Sequence, residues 1–159
     1  MLPSAVILGA VAVVALVLTR ARPLAAHAMA RGDAARSLAL AVCAQGAHFA
    51  EEAATGFHRQ FPALLGQPAM PLAVFLVFNL GWLAIWTASV PGLRSGRSGA
   101  VFAAWFLAIA GLFNGIAHPL LAVAAGGYFP GLVTSPVIGV AGAVLWIRLD
   151  RATRRDALG

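Results

Sequence analysis

The sequence predicts an all-α fold: a polytopic transmembrane bundle of five helices, with the N-terminus outside and the C-terminus in the cytoplasm. Three observations carry that expectation. Hydrophobic residues fill 61% of the 159 positions and charged residues only 10%, against the roughly one-half and one-quarter of ordinary soluble domains. The apolar residues fall into five runs, each near the ~20 residues a helix needs to cross the hydrocarbon core. All 11 basic residues are Arg, and they alternate between the links in step with those runs. Long apolar runs default to helix in a bilayer, because lipid leaves an open strand edge with unsatisfied backbone groups.

The first run, Leu2 to Thr19, has no charge before Arg20 and so lacks the basic start of a secretory signal. Ala26-His27-Ala28 resembles a cleavage site, but the reading adopted is a retained anchor. The second to fifth runs are Ser37 to Phe57, Pro71 to Val90, Ala100 to Ala125 and Gly131 to Ile147. Arg-rich or polar stretches close the first and third links. Gln60 to Met70 and Gly126 to Pro130 are short links with Pro and Gly. The chain divides into residues 1–36 (first span and link), 37–149 (a four-helix core) and 150–159 (a basic tail).

Orientation follows from the retention of positive residues on the cytoplasmic side. Arg20, Arg22, Arg31, Arg36, Arg94, Arg97, Arg148, Arg151, Arg154 and Arg155 fall on one side, and Arg59 alone on the other. The same count removes nucleic acid as a partner, since the charge of +6 is accounted for by membrane anchors rather than a basic patch interleaved with aromatics. The expected partners are the lipid bilayer and a lipophilic small molecule. The Arg-only, Ala-rich usage associates the chain with a GC-rich genome and so with a bacterial cytoplasmic membrane. Cys43 is the single cysteine and excludes an internal disulfide framework.

Polar groups inside the spans are costly and mark function by default. Gln45, His48, Glu51, Glu52 and Thr55 lie within an arc of roughly 120° on the second helix. Asn114 and His118 share a face of the fourth span, and Asn79 lies on the third. Counted from the span midpoints, these groups converge between the mid-plane and the outer third. No Arg sits centrally in any span, so the carboxylates must be protonated, share charge with histidine or bind a metal. Pro119 removes the hydrogen bond to the Gly115 carbonyl beside the site.

His48-Phe49-Ala50-Glu51-Glu52, followed by Asn79, Asn114-Gly115-Ile116-Ala117-His118 and Tyr128-Phe129-Pro130-Gly131, resembles the HXXEE proteins. These are small multi-pass membrane proteins named for the first motif and largely without assigned activity. The resemblance covers roughly Ser37 to Ile147 and leaves the first 36 residues as the least family-like part. It implies a polar site in the membrane and hardly touches the substrate.

The leading expectation from the residues is an intramembrane site for a divalent metal, Zn²⁺ or non-haem Fe²⁺. His48, Glu52 and His118 serve as ligands, a two-His, one-carboxylate set with open positions. Glu51 is then the general base on water, by analogy with helical zinc-hydrolase motifs, although the two Glu roles are exchangeable. Asn79 and Asn114 would hold ligands or polarise a substrate oxygen. Two carboxylates are too few for the usual dimetal bundle. One alternative is metal-free acid/base isomerisation of a lipid or sterol-like substrate, in the general manner of the emopamil-binding sterol isomerases. Others are proton or cation transport, against which the groups form no chain to the cytoplasmic side, and a structural polar knot between helices. His27 and His58 read as interfacial side chains. Cys43 and the Gly residues of the last two spans read as packing, and the four Trp residues with Tyr128 as packing and interface-belt residues.

Overall fold

The computed structural model describes residues 2–22 and 28–153. His27, Arg154 and Arg155, with most of the proposed cleavage motif, lie outside them. The described residues form six helices and no strands: α1 Leu2–Ala21, α2 Ala28–Thr55, α3 Phe57–Leu64, α4 Leu72–Arg94, α5 Ser98–Ala124 and α6 Ser135–Thr153. Two of them, α4 and α5, are long and apolar enough to cross a membrane.

Three boundaries differ from expectation. First, α2 starts at Ala28, inside the expected link. Its Ala-rich first turns favour helix, and Arg36 hydrogen-bonds Asp33 one turn away, so charge does not interrupt the helix. Second, the expected 60–70 link contains most of α3. Gly56, at φ 84°, supplies the left-handed residue that ends α2 and lets the chain turn at once into the next helix. Phe57 and Phe61 stack along α3 with ring centroids 5.1 Å apart. Third, α6 begins at Ser135 rather than Gly131, because residues 130–134 are turns whose backbone serves the site described below. Most other ends fall within a few residues of expectation, although α6 runs on to Thr153, six residues past Ile147, and α5 runs unbroken through Pro119.

The central helix is α5, which packs on α1, α2, α4 and α6. Along it Ala103, Ala104, Trp105, Leu107 and Ala108 are buried, and Trp105 meets Trp146 of α6 edge to face at 5.0 Å. Small residues let α5 and α6 approach closely. A Cβ added to Gly115 would lie 2.8 Å from Gly139 Cα, and one added to Gly142 would lie 2.8 Å from the Ala108 carbonyl oxygen. By contrast α4 is apolar yet largely outward: Val74, Val77, Phe78, Leu80 and Ile85 are exposed.

The charged ends meet at one end of the bundle. Arg22, just past α1, pairs with Asp150 of α6 at 2.6 Å, and Arg148 of α6 lies 3.7 Å from Asp33 of α2. Asp33 precedes His48 by 15 residues of continuous helix, about 22 Å of rise. The polar cluster therefore sits well away from Arg22 and Arg148.

Candidate metal centre

On α2 the sequence places His48 and Glu52 one turn apart on the buried face, while Glu51, about 100° around the helix from Glu52, turns toward the next element. His48 is 0% exposed and Glu52 6%; His118 of α5, at 2%, closes the group from the facing helix. One ligand atom from each of these three residues lies within 4.8 Å of the others. Glu52 Oε1 stands 3.4 Å from His118 Nε2 and 3.7 Å from His48 Nε2. The two imidazoles cross at 88° with centroids 4.6 Å apart, so they are not stacked against one another. This group could hold a metal ion.

Hydrogen bonding fixes how the histidines present themselves. His118 Nδ1 lies 2.6 Å from the Pro130 carbonyl oxygen. A carbonyl only accepts, so this nitrogen carries a proton, and in the neutral ring Nε2 keeps its lone pair toward Glu52. His48 Nε2 is buried and, among the described residues, has no hydrogen-bond partner, an arrangement that costs free energy unless something satisfies the nitrogen. A metal ion between the two Nε2 atoms and the carboxylate would do so, and an imidazole whose other nitrogen donates to a carbonyl is the usual support for a metal-bound histidine.

Glu51, expected as the base on water, has both carboxylate oxygens in hydrogen bonds. Oε1 accepts the Tyr128 hydroxyl at 2.6 Å and the Val133 N–H at 3.0 Å; Oε2 accepts the Thr134 N–H at 2.8 Å and its hydroxyl at 2.5 Å. The carboxylate therefore anchors the segment between α5 and α6. Tyr128, itself outside the helices, has its phenol held above the ordinary range, first by desolvation and then by this bond to Glu51.

The two asparagines are not drawn into the cluster's hydrogen bonds. The Asn79 amide donates to Phe75 O of its own helix at 2.9 Å. Asn114 is half-buried one turn before His118. His58 is half-buried with its ring near Phe75, and Cys43 is exposed.

Three residues that matter here carry no assigned role in the sequence reading: Pro130 through its carbonyl, Gly131 and Thr134. Gly131, at φ 88°, packs against both rings. A Cβ there would lie 2.5 Å from His118 Cε1 and 2.8 Å from His48 Cε1. The Tyr-x-Pro-Gly turn was the available signal for the first two, whereas nothing local to Thr134 announces its contact with α2. The walls are aromatic, with Phe57 and Phe129 centroids 5.7 and 6.1 Å from that of His118.

Against known proteins, the family described as "Protein of unknown function with HXXEE motif" matches residues 38–146. Neither a curated protein nor a solved structure matches the chain.

Proposed function

The chain belongs to the HXXEE family, and from that premise we propose that it is a membrane-embedded, metal-dependent enzyme acting on a lipophilic substrate. His48, Glu52 and His118 hold the divalent ion, Zn²⁺ or Fe²⁺. The carrying observation is their convergence on one buried point, with a lone pair of His118 turned toward it and the orphaned Nε2 of His48 beside it. Three protein ligands leave a coordination position open, where a bound metal supplies Lewis-acid activation of water or of a substrate oxygen. Phe57 and Phe129 flank the histidines, and such apolar walls suit a hydrocarbon-rich substrate.

The membrane reading has α1, α2, α4, α5 and α6 crossing the bilayer, N-terminus out and C-terminus in, with α3 at the outer face. The apolar residues exposed along α1, α4, α5 and α6, among them Val13, Val77, Ile116 and Val140, favour a lipid surround over water. The gathering of Arg22, Arg148, Asp33 and Asp150 at one end agrees with the cytoplasmic side expected from the arginine count. That membrane is taken to be the bacterial cytoplasmic membrane.

Elemental analysis of detergent-purified protein tests the proposal. About one equivalent of Zn or Fe is expected in the wild type and none in Glu52→Ala. A folded wild type that never carries stoichiometric metal would remove the metal chemistry. The metal-free alternative draws on Glu52 Oε1 standing between two imidazole nitrogens at 3.4 and 3.7 Å, a set able to pass a proton to and from a double bond. Turnover that survives exhaustive chelation would favour it.

A further inference from the structure

We infer that Glu51 and Thr134 are positioning residues: together they fix the ring proton of His48 on Nδ1 and so aim its Nε2 lone pair at the Glu52–His118 pair. The inference deepens the metal-site proposal and rests on it for its functional meaning, but the proton placement stands on hydrogen-bond accounting alone.

Thr134 Oγ1 has two close partners, Glu51 Oε2 at 2.5 Å and His48 Nδ1 at 2.9 Å. A hydroxyl has one proton to give. Glu51 Oε2 already accepts the Thr134 backbone N–H at 2.8 Å, and Oε1 accepts the Val133 N–H at 3.0 Å. Both carboxylate oxygens thus face donors, and the Thr134 hydroxyl donates there too. Toward His48 its oxygen can then only accept, so His48 Nδ1 must donate. In the neutral ring the single proton is thereby consigned to Nδ1, and Nε2 is left as a buried acceptor.

His118 reaches the same state by another route, donating from Nδ1 to the Pro130 carbonyl. Both acceptors, Pro130 O and Thr134 Oγ1, belong to the segment between α5 and α6, on either side of Gly131. One short stretch of chain therefore orients both imidazoles, and Glu51 fixes that stretch through four donors at Tyr128, Val133 and Thr134. The motif divides its labour: His48 and Glu52, four apart, face the centre, whereas Glu51 faces the loop that sets the tautomer of its own neighbour. A ligand held in the wrong tautomer would turn an N–H toward the metal, and loss of such an outer partner typically lowers metal affinity by about 10–100-fold.

Two readouts test this in the detergent-purified full chain. In metal-free protein, ¹⁵N NMR of labelled histidine should give the Nδ1–H signature for His48 in the wild type and in Thr134→Ser, and lose it in Thr134→Val. Zn²⁺ affinity should fall by about 10–100-fold in Thr134→Val and in Glu51→Gln, with Thr134→Ser close to wild type. A wild-type His48 protonated on Nε2 would overturn the inference without any variant, which keeps it falsifiable if Thr134→Val does not fold. So would a folded Thr134→Val that keeps both wild-type affinity and the Nδ1–H signal. A wild type with the expected tautomer and no Zn²⁺ binding would instead sink the metal proposal and leave the proton placement standing.

Discussion

Charge is handled in opposite ways at the two ends of this bundle. At the arginine end, Arg22–Asp150 and Arg148–Asp33 pair opposite charges on side chains that are mostly 20–43% exposed. At the other end Glu52 is buried beside two histidines, and among the described residues no arginine pairs with it. Half-exposed ion pairs contribute little, since water and salt already screen them. A carboxyl group out of water, by contrast, is tolerated only with specific partners. The first end thus looks like anchoring that many sequences could supply, the second like a site kept for what it binds.

The comparison can be broken from its strongest side first. His118→Ala removes a ligand and should lower metal affinity by more than the roughly 10–100-fold that loss of an outer partner costs, read by competition with a chelating dye. Gly131→Ala puts a Cβ 2.5–2.8 Å from both imidazoles at a left-handed φ of 88°; about 3 kcal/mol or more of destabilisation is expected, seen as a lower unfolding temperature together with weakened metal binding. Gly115→Ala presses on Gly139 at 2.8 Å and should cost about 1–3 kcal/mol without reversing the tautomer of either histidine. Asp150→Asn should change stability by about 0.5 kcal/mol or less and leave metal affinity untouched. An Asp150→Asn effect rivalling that of Gly131→Ala would erase the distinction between the two ends.

Much of this was legible in the sequence because it is local. His48 and Glu52 are four apart, and helical periodicity alone puts them on one face; His118 was placed at the same depth by counting along its span. The hydrophobic runs disclose the all-α class, although the described residues form six helices and two of these, α4 and α5, are long and apolar enough to cross a membrane. Contacts between residues distant in sequence are not legible in this way. Its position beside a ligand predicts Glu51 as the base on water, while its hydrogen-bond donors lie 77–83 residues away in sequence. No spacing rule discloses a carboxylate that anchors a loop. The start of α2 was missed for the reverse reason: Arg31, Asp33 and Arg36 read as a polar link, although nothing in their backbone chemistry ends a helix. Likewise α3 was concealed by Pro62, which the short helix accommodates near its C-terminal end.

The most direct test of the metal centre is a Co²⁺ titration of metal-free protein in detergent, followed by visible absorption. The account predicts saturation at about one equivalent per chain, with ligand-field bands of a low-coordinate site, abolished in His48→Ala and Glu52→Ala while the helices persist. A folded wild type with no saturable Co²⁺ binding, or one whose spectrum is unchanged by losing Glu52, would contradict it.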